Sequence, residues 1–284
     1  MKRKFKFSQQ DYTPNMLPQN RRQVFFDVVQ LQWQKLLRMG LILLLLYLPM
    51  LLSTVAKDVY IGNLYASLEE STEAARLQAG QTLAILDMLR SVVNILFLLI
   101  LAIGFSGMLR ILRQYAWGEN VHFSTDFGKG LRGNYLQTAA VLALGGIVYC
   151  LCLGVYYTAP SYRSGLFSSI SLLPIGISLL VVLPILMITL AMIPIYQNTL
   201  FATLKNAFFI YTQSLLKVLL AALCTLALWV PSLIPNFYCH IFGSIFGILL
   251  TPFALLGWTL FCYNCFDQHL NPTVAPELMG KGTF

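Results

Sequence analysis

Six long apolar runs dominate the chain, at roughly 39–57, 91–109, 137–157, 175–196, 215–235 and 241–262, and none holds Asp, Glu, Lys or Arg at its centre. About 20 apolar residues in a helix cross the hydrocarbon core of a bilayer, and a charge placed at the middle is costly. The pattern predicts an all-α membrane protein, a six-transmembrane-helix bundle. The fourth run begins near Leu166, too early for one straight helix. Pro174 predicts a turn or kink near its start, and Pro184 and Pro194 recur inside it. Pro231 and Pro235 close the fifth run, and Pro252 lies within the sixth. Each proline removes a backbone donor and bends or ends a helix.

The polar positions between the runs are also ordered. An amphipathic stretch precedes each odd-numbered span: Phe26 to Lys35, Asp126 to Asn134, and Leu204 to Lys217. Aromatics mixed with Asn, Gln and basic residues predict interfacial helices on the cytoplasmic face. Three parallel helical hairpins would give this spacing, and so would a plain scaffold. The chain divides into a cytoplasmic arm and interfacial helix (1–38), a six-span membrane domain (39–262) and a cytoplasmic tail (263–284). The outer segment 58–90 carries Asp58, Glu69, Glu70, Glu73 and Asp87, which read as a solvated face. Within it Ser67-Leu68-Glu69-Glu70 fits a capping box. Ala74, Ala75, Leu77, Ala79, Leu83 and Leu86 then line one face of a helix leading into span two.

Composition agrees with this reading. Of 284 residues, 57% are hydrophobic and only 11% charged, against about a quarter in a soluble domain. The net charge of +8 sits on residues flanking the spans. Anionic lipid headgroups at the inner face are therefore the natural partner. No basic run interleaved with aromatics argues for nucleic acid. With the first residues inside, all but Lys57, Arg76, Arg90 and Arg163 of the 19 Lys and Arg fall on the inner side, which predicts both termini in the cytoplasm. Lys2, Arg3, Lys4 and Lys6 precede polar residues rather than an apolar core and cleavage site, so the first run reads as a retained helix.

The chemistry-bearing residues are sparse. Cys150, Cys152, Cys224 and Cys262 fall in or at the ends of apolar runs, and Cys239 sits in a short turn without an obvious partner. They read as small buried hydrophobes rather than a disulfide framework. Cys262-Tyr263-Asn264-Cys265 is a lone CxxC, and redox or metal chemistry needs an activated thiolate or further ligands beside it. His122, His240 and His269 fall in loops on different sides. Gly128, Gly130 and Gly133 lie near Lys129 and Arg132 in a cytoplasmic loop, but no strand precedes them to make a phosphate cradle. The nucleophile-elbow, zinc-protease, Walker and dinucleotide signatures are missing. So are the intramembrane carboxylates that proton-coupled carriers and ion pumps use. Asn94 and Gln137 near span ends, Ser168, Ser169, Ser171, Ser178 and Thr189 within the fourth run, and the small residues Gly104, Ser106, Gly107, Gly145 and Gly146 read as helix-packing positions. These observations predict no catalytic residue, no cofactor and no metal.

Three stretches together resemble a known family. Leu48-Pro49 closes span one with Thr54 soon after. Asp126-Phe127, Gly130 and Asn134 precede span three. The last stretch reads Phe266-Asp267, Asn271-Pro272, Pro276-Glu277-Leu278 and Gly280-Lys281-Gly282. The pattern resembles the YesL-like family of bacterial integral membrane proteins, thinly and over nearly the whole chain. The arm and the first outer segment are longer here than the family pattern. The resemblance implies a multi-span protein of the bacterial plasma membrane, of a kind encoded beside carbohydrate ABC importers and two-component sensors. It carries over no activity and no catalytic residue. It leads to a non-enzymatic protein, accessory or regulatory to carbohydrate uptake or sensing, with an ABC importer or sensor subunit as partner. The partner surface is then Asp126, Phe127 and Asn134 together with Asp267, Asn271 and Pro272. The alternative is a transporter or channel for a small neutral solute, opened by the prolines and lined by Ser and Thr. A membrane enzyme using Cys262 and Cys265 is a third reading.

Overall fold

The computed structural model describes residues 18–67, 72–158, 172–196, 198–234 and 236–283. All of its long elements are helices, and six of them are long and apolar enough to cross a membrane. The chain is an all-α, multi-pass membrane protein.

Helix α1, Arg21–Ser67, has 47 residues and continues past Pro49, a contour of about 70 Å. Pro49 therefore does not close the first span, and the amphipathic stretch before it is the start of the same helix. Helix α2, Glu73–Ala116, stops at Gly118, whose φ of +70° supplies the left-handed residue that helix ends favour. Helix α3, Phe123–Thr158, begins where the Asp126 carboxylate accepts the backbone N–H of His122 at 2.8 Å, so the acid satisfies a free donor of the first turn. Helix α4, Leu173–Met192, opens on Pro174 and widens into a π-helical turn, Ser178–Val182, just ahead of Pro184. The widened turn accommodates the proline, which lacks the N–H to continue the ladder. Pro194 falls in the turn beyond α4, not inside it.

The third amphipathic stretch does form a helix of its own. Helix α5, Leu200–Gln213, is capped by the Thr199 side chain and gives way at Ser214 to α6, Leu215–Leu226. Pro231 then lies in a 3-10 continuation, Ala227–Leu233. Pro235 lies outside the described residues. Helix α7, Phe237–His269, is capped by Asn236, which accepts from the N–H groups of Tyr238 and Cys239 at 3.0 and 3.2 Å. Cys239 and His240 are thus in its first turn and His269 ends it, so none of the three is in a loop. Helix α8, Asn271–Val274, and a 3-10 turn, Pro276–Leu278, follow.

Two further expectations are corrected. The helix expected to lead into span two is α2, which carries residues 74–86, but it starts at Glu73 after Thr72, whose side chain makes no capping bond, and not at Ser67, which still belongs to α1. Of the expected capping box, Leu68, Glu69 and Glu70 lie outside the described residues, as do Ser168, Ser169 and Ser171. Gly128, Gly130 and Gly133 sit within α3 rather than in a loop. At Gly130 the reason is close packing, since a Cβ there would come 2.8 Å from the Ser106 carbonyl oxygen of α2. Glycine is poor in a helix interior, but this contact lets two backbones approach, as small residues do between membrane helices.

Helices α1 and α7 run antiparallel. Gly40 meets the Leu249 carbonyl, Phe25 lies beside Gly257, and Arg21 pairs with Asp267. Leu36, Met39, Leu43, Met108, Leu112, Ile188, Ile210, Leu256 and Phe266 fill the core between α1, α2, α4, α5 and α7. Leu45, Leu52, Leu96, Leu151 and Leu223 point outward, as suits helices solvated by lipid. Leu43 packs against Gly104 of α2, while Arg21 reaches the carbonyl of Ala116. That interval covers about 33 Å of α1 but only about 18 Å of α2. The first half of α1 therefore runs obliquely to α2, consistent with an interfacial start that flows into a span.

Candidate functional site

The densest polar cluster lies where α1 begins, α2 and α7 end and the last residues fold back; this is termed the tail end. Arg21 is its hub. Its guanidinium donates to the Asp267 carboxylate at 2.8 Å, to the Lys281 carbonyl at 2.6 Å and to the Ala116 carbonyl at 3.4 Å. The fork geometry of Arg suits several fixed acceptors at once, and bonds between charged groups are the strong ones. The second Asp267 oxygen accepts from the Asn271 amide at 2.7 Å, one helical turn on, and the Asn271 oxygen accepts from the Tyr196 hydroxyl at 2.5 Å. Five segments are joined by these bonds: the start of α1, the end of α2, the turn beyond α4, the junction of α7 and α8, and the tail.

A second layer fixes the tail. Arg113 and Lys281 lie over the Trp117 ring at 4.6 and 4.0 Å, and Glu119 pairs with the same two cations at 3.5 and 3.8 Å. Arg113 also donates to the Pro194 carbonyl at 2.9 Å. Gly282, with φ of +88°, lies so close to Ala116 that a Cβ would come 2.1 Å from its carbonyl oxygen. Only glycine fits there. With the tail so held, Pro272 and Glu277 are exposed, Val274 is 55% exposed and Met279 50%.

The sequence-predicted partner residues fall in two separate places. Asp267, Asn271 and Pro272 are at the tail end, but Asn271 is only 4% exposed and Asp267 faces Arg21. Both hold the tail, leaving Pro272 of the three as surface. Asp126, Phe127 and Asn134 belong to the contact between α2 and α3. Asp126 is buried, Phe127 stacks on Phe123 at 6.0 Å and covers Gly107, and Asn134 is half-buried. Arg21, Tyr196, Trp117, Glu119 and Lys281 had no local signal except that Asp267 and Asn271 are spaced one helical turn apart, as interacting side chains are.

At the opposite pole, the hairpin end, Asp87 is no part of a solvated face. It pairs with Lys57 at 2.6 Å and Arg90 at 4.0 Å and accepts from the Tyr157 hydroxyl. Arg90 donates in turn to Thr54 at 2.5 Å, and Ser53 to Asn94 at 3.2 Å. An open cavity of about 480 Å³ lies beside them, with Ser53, Lys57, Tyr60, Thr82 and Arg90 in its wall.

The remaining candidates are structural in their contacts. Cys262 and Cys265 are buried and unpaired as thiols. His269 lies 3.1 Å from the Ser214 hydroxyl. Thr189 bonds the Ile185 carbonyl of its own helix at 2.8 Å, and Gln137 donates to the Asn198 carbonyl at 2.7 Å. Among the described residues, no three His, Cys, Asp or Glu side chains assemble as metal ligands. The tail end presents exposed apolar side chains, Val274 and Met279, on a hydrogen-bonded polar base. No protein-family model, no curated protein and no solved structure matches this chain.

Proposed function

We propose that this protein is a non-enzymatic component of a bacterial plasma membrane that assists or regulates a carbohydrate uptake or sensing system, with both termini in the cytoplasm. The observation that carries this reading is the tail end, where Arg21, Asp267, Asn271 and Tyr196 hold the last residues in one shape and leave Pro272, Val274 and Met279 outward. Exposed apolar side chains on a rigid base are the usual anchors of a protein contact. The sequence resemblance supplies the class of partner, an ABC importer or a sensor subunit, and the basic flanks of the spans supply the orientation. The test is purification from native membranes in mild detergent, with co-purifying proteins identified by mass. Stoichiometric importer or sensor subunits are expected, and their loss in a Val274→Ser/Met279→Ser variant places the contact. A partner-free protein refutes the reading.

One observation favours transport of a small neutral solute instead. The π-helical turn of α4 ahead of Pro184 leaves a weak point in a span, and such turns recur at functional positions. Uptake by the protein alone in proteoliposomes decides between the two, because an accessory subunit moves nothing unaided.

A further inference from the structure

The tail end also carries an open groove of about 840 Å³ between the start of α1 and the last turns of α7. The geometry points to this groove as a seat for one anionic phospholipid of the inner leaflet. This rests on the reading that the tail end faces the cytoplasm.

The walls change character in register. On α1, Phe25 and Phe26 give way, toward the helix start, to Arg22, Arg21 and Asn20. On the antiparallel α7, Leu260 and Phe261 give way, toward the helix end, to Asn264 and Asp267. Two helices running in opposite directions thus turn from apolar to polar at the same level. That is the profile of a ligand with a hydrocarbon part and a polar head.

Charge narrows the choice. Among the described residues, Arg21, Arg22 and Asp267 are the charged ones lining the groove. Arg21 and Asp267 answer each other at 2.8 Å. Arg22 is exposed and, among the described residues, makes no ion pair. The described wall of the groove therefore carries one uncompensated positive charge, which matches the single negative charge of a phosphodiester. The exposed Asn264 amide offers donors to its oxygens. The volume lies within the range of organic ligand sites, far beyond what a phosphate ion fills, and Phe26, 62% exposed, lies where the first methylenes would run.

The test uses the full chain in detergent micelles, with bound lipid counted by native mass spectrometry. Phosphatidylglycerol, phosphatidylcholine with the same chains, and inorganic phosphate are the probes. One phosphatidylglycerol is expected to bind in preference to phosphatidylcholine and to survive an excess of phosphate. Arg22→Gln is expected to weaken it about fivefold, and Asn264→Asp to weaken it further by placing a carboxylate beside the phosphate. Arg132→Gln, which removes another exposed cation on α3, is expected to change nothing. The assignment is overturned if Arg22→Gln binds like the parent, if Arg132→Gln loses as much, or if inorganic phosphate displaces the lipid. A C-terminal epitope tag reached by antibody in intact cells would overturn the inner-leaflet source separately, leaving the binding result to stand.

Discussion

The two poles of the bundle each hold an ionic cluster, and they are built on opposite plans. The hairpin-end cluster joins neighbours: Lys57, Asp87, Arg90 and Tyr157 come from α1, α2 and α3, which follow one another in the chain. One carboxylate there answers two cations, so it is under-supplied with negative charge. The tail-end cluster joins strangers. Arg21 meets Asp267, 246 residues away, and the Lys281 carbonyl, 260 residues away. At its hub one guanidinium answers one carboxylate and neutral carbonyls and an amide complete the set, while in the layer beside it Glu119 is shared by Arg113 and Lys281. The first plan stiffens a local hairpin and depends on a single acid. The second closes the whole bundle and spreads the load over many bonds.

The hairpin end is accordingly the place where one change does most damage. Asp87→Asn leaves Lys57 and Arg90, each 23% exposed, facing one another without a counter-charge. Removing one member of such a pair is expected to cost about 3 kcal/mol, read as unfolding free energy in detergent. The same substitution in a Lys57→Met background should cost clearly less; an equal cost would break the contrast between the two poles. Next comes Arg21→Gln, expected at about 2 kcal/mol because hydrogen bonds to a charged group are lost. Its more telling readout is trypsin cleavage after Lys281, which should become fast while the spans stay protected. If cleavage is unchanged, the tail is held by something other than the hub.

Gly282→Ala sharpens the point at smaller cost. The left-handed backbone and the 2.1 Å approach to Ala116 exclude a Cβ, and release of the tail is expected at about 1 kcal/mol, with faster cleavage but no change in the spans. Smallest in stability is Val274→Ser/Met279→Ser. Both side chains are exposed, so the unfolding free energy should stay within about 0.5 kcal/mol while partner recovery falls.

The apolar runs made the six spans legible because length and the absence of central charge are local properties. Cap and loop signals were less reliable. Ser67-Leu68-Glu69-Glu70 matched a capping box, yet α1 still includes Ser67 and α2 begins only at Glu73. The three glycines before span three read as a loop, but Gly130 is where α3 presses on the Ser106 carbonyl, a tertiary demand that propensity does not record. Asp267 and Asn271 were singled out in the sequence as partner residues; in the structure Asp267 bonds Arg21 and Asn271 bonds Asp267 and Tyr196. Arg21 was legible only as one more inner positive charge, since nothing local marks a bond spanning 246 residues. Asp87 was misread for the same reason, its partners lying 30 residues before it on α1 and 70 after it on α3.

The reach of Arg21 also orders events during synthesis. Its helix emerges before the other five spans, yet its acceptors at Asp267 and Lys281 are made only after every span between them. The guanidinium must wait, solvated, until the sixth span has been inserted. A chain missing or misplacing any span would leave that cation unmatched, so the bond at the tail end reports that membrane insertion has been completed in the right order.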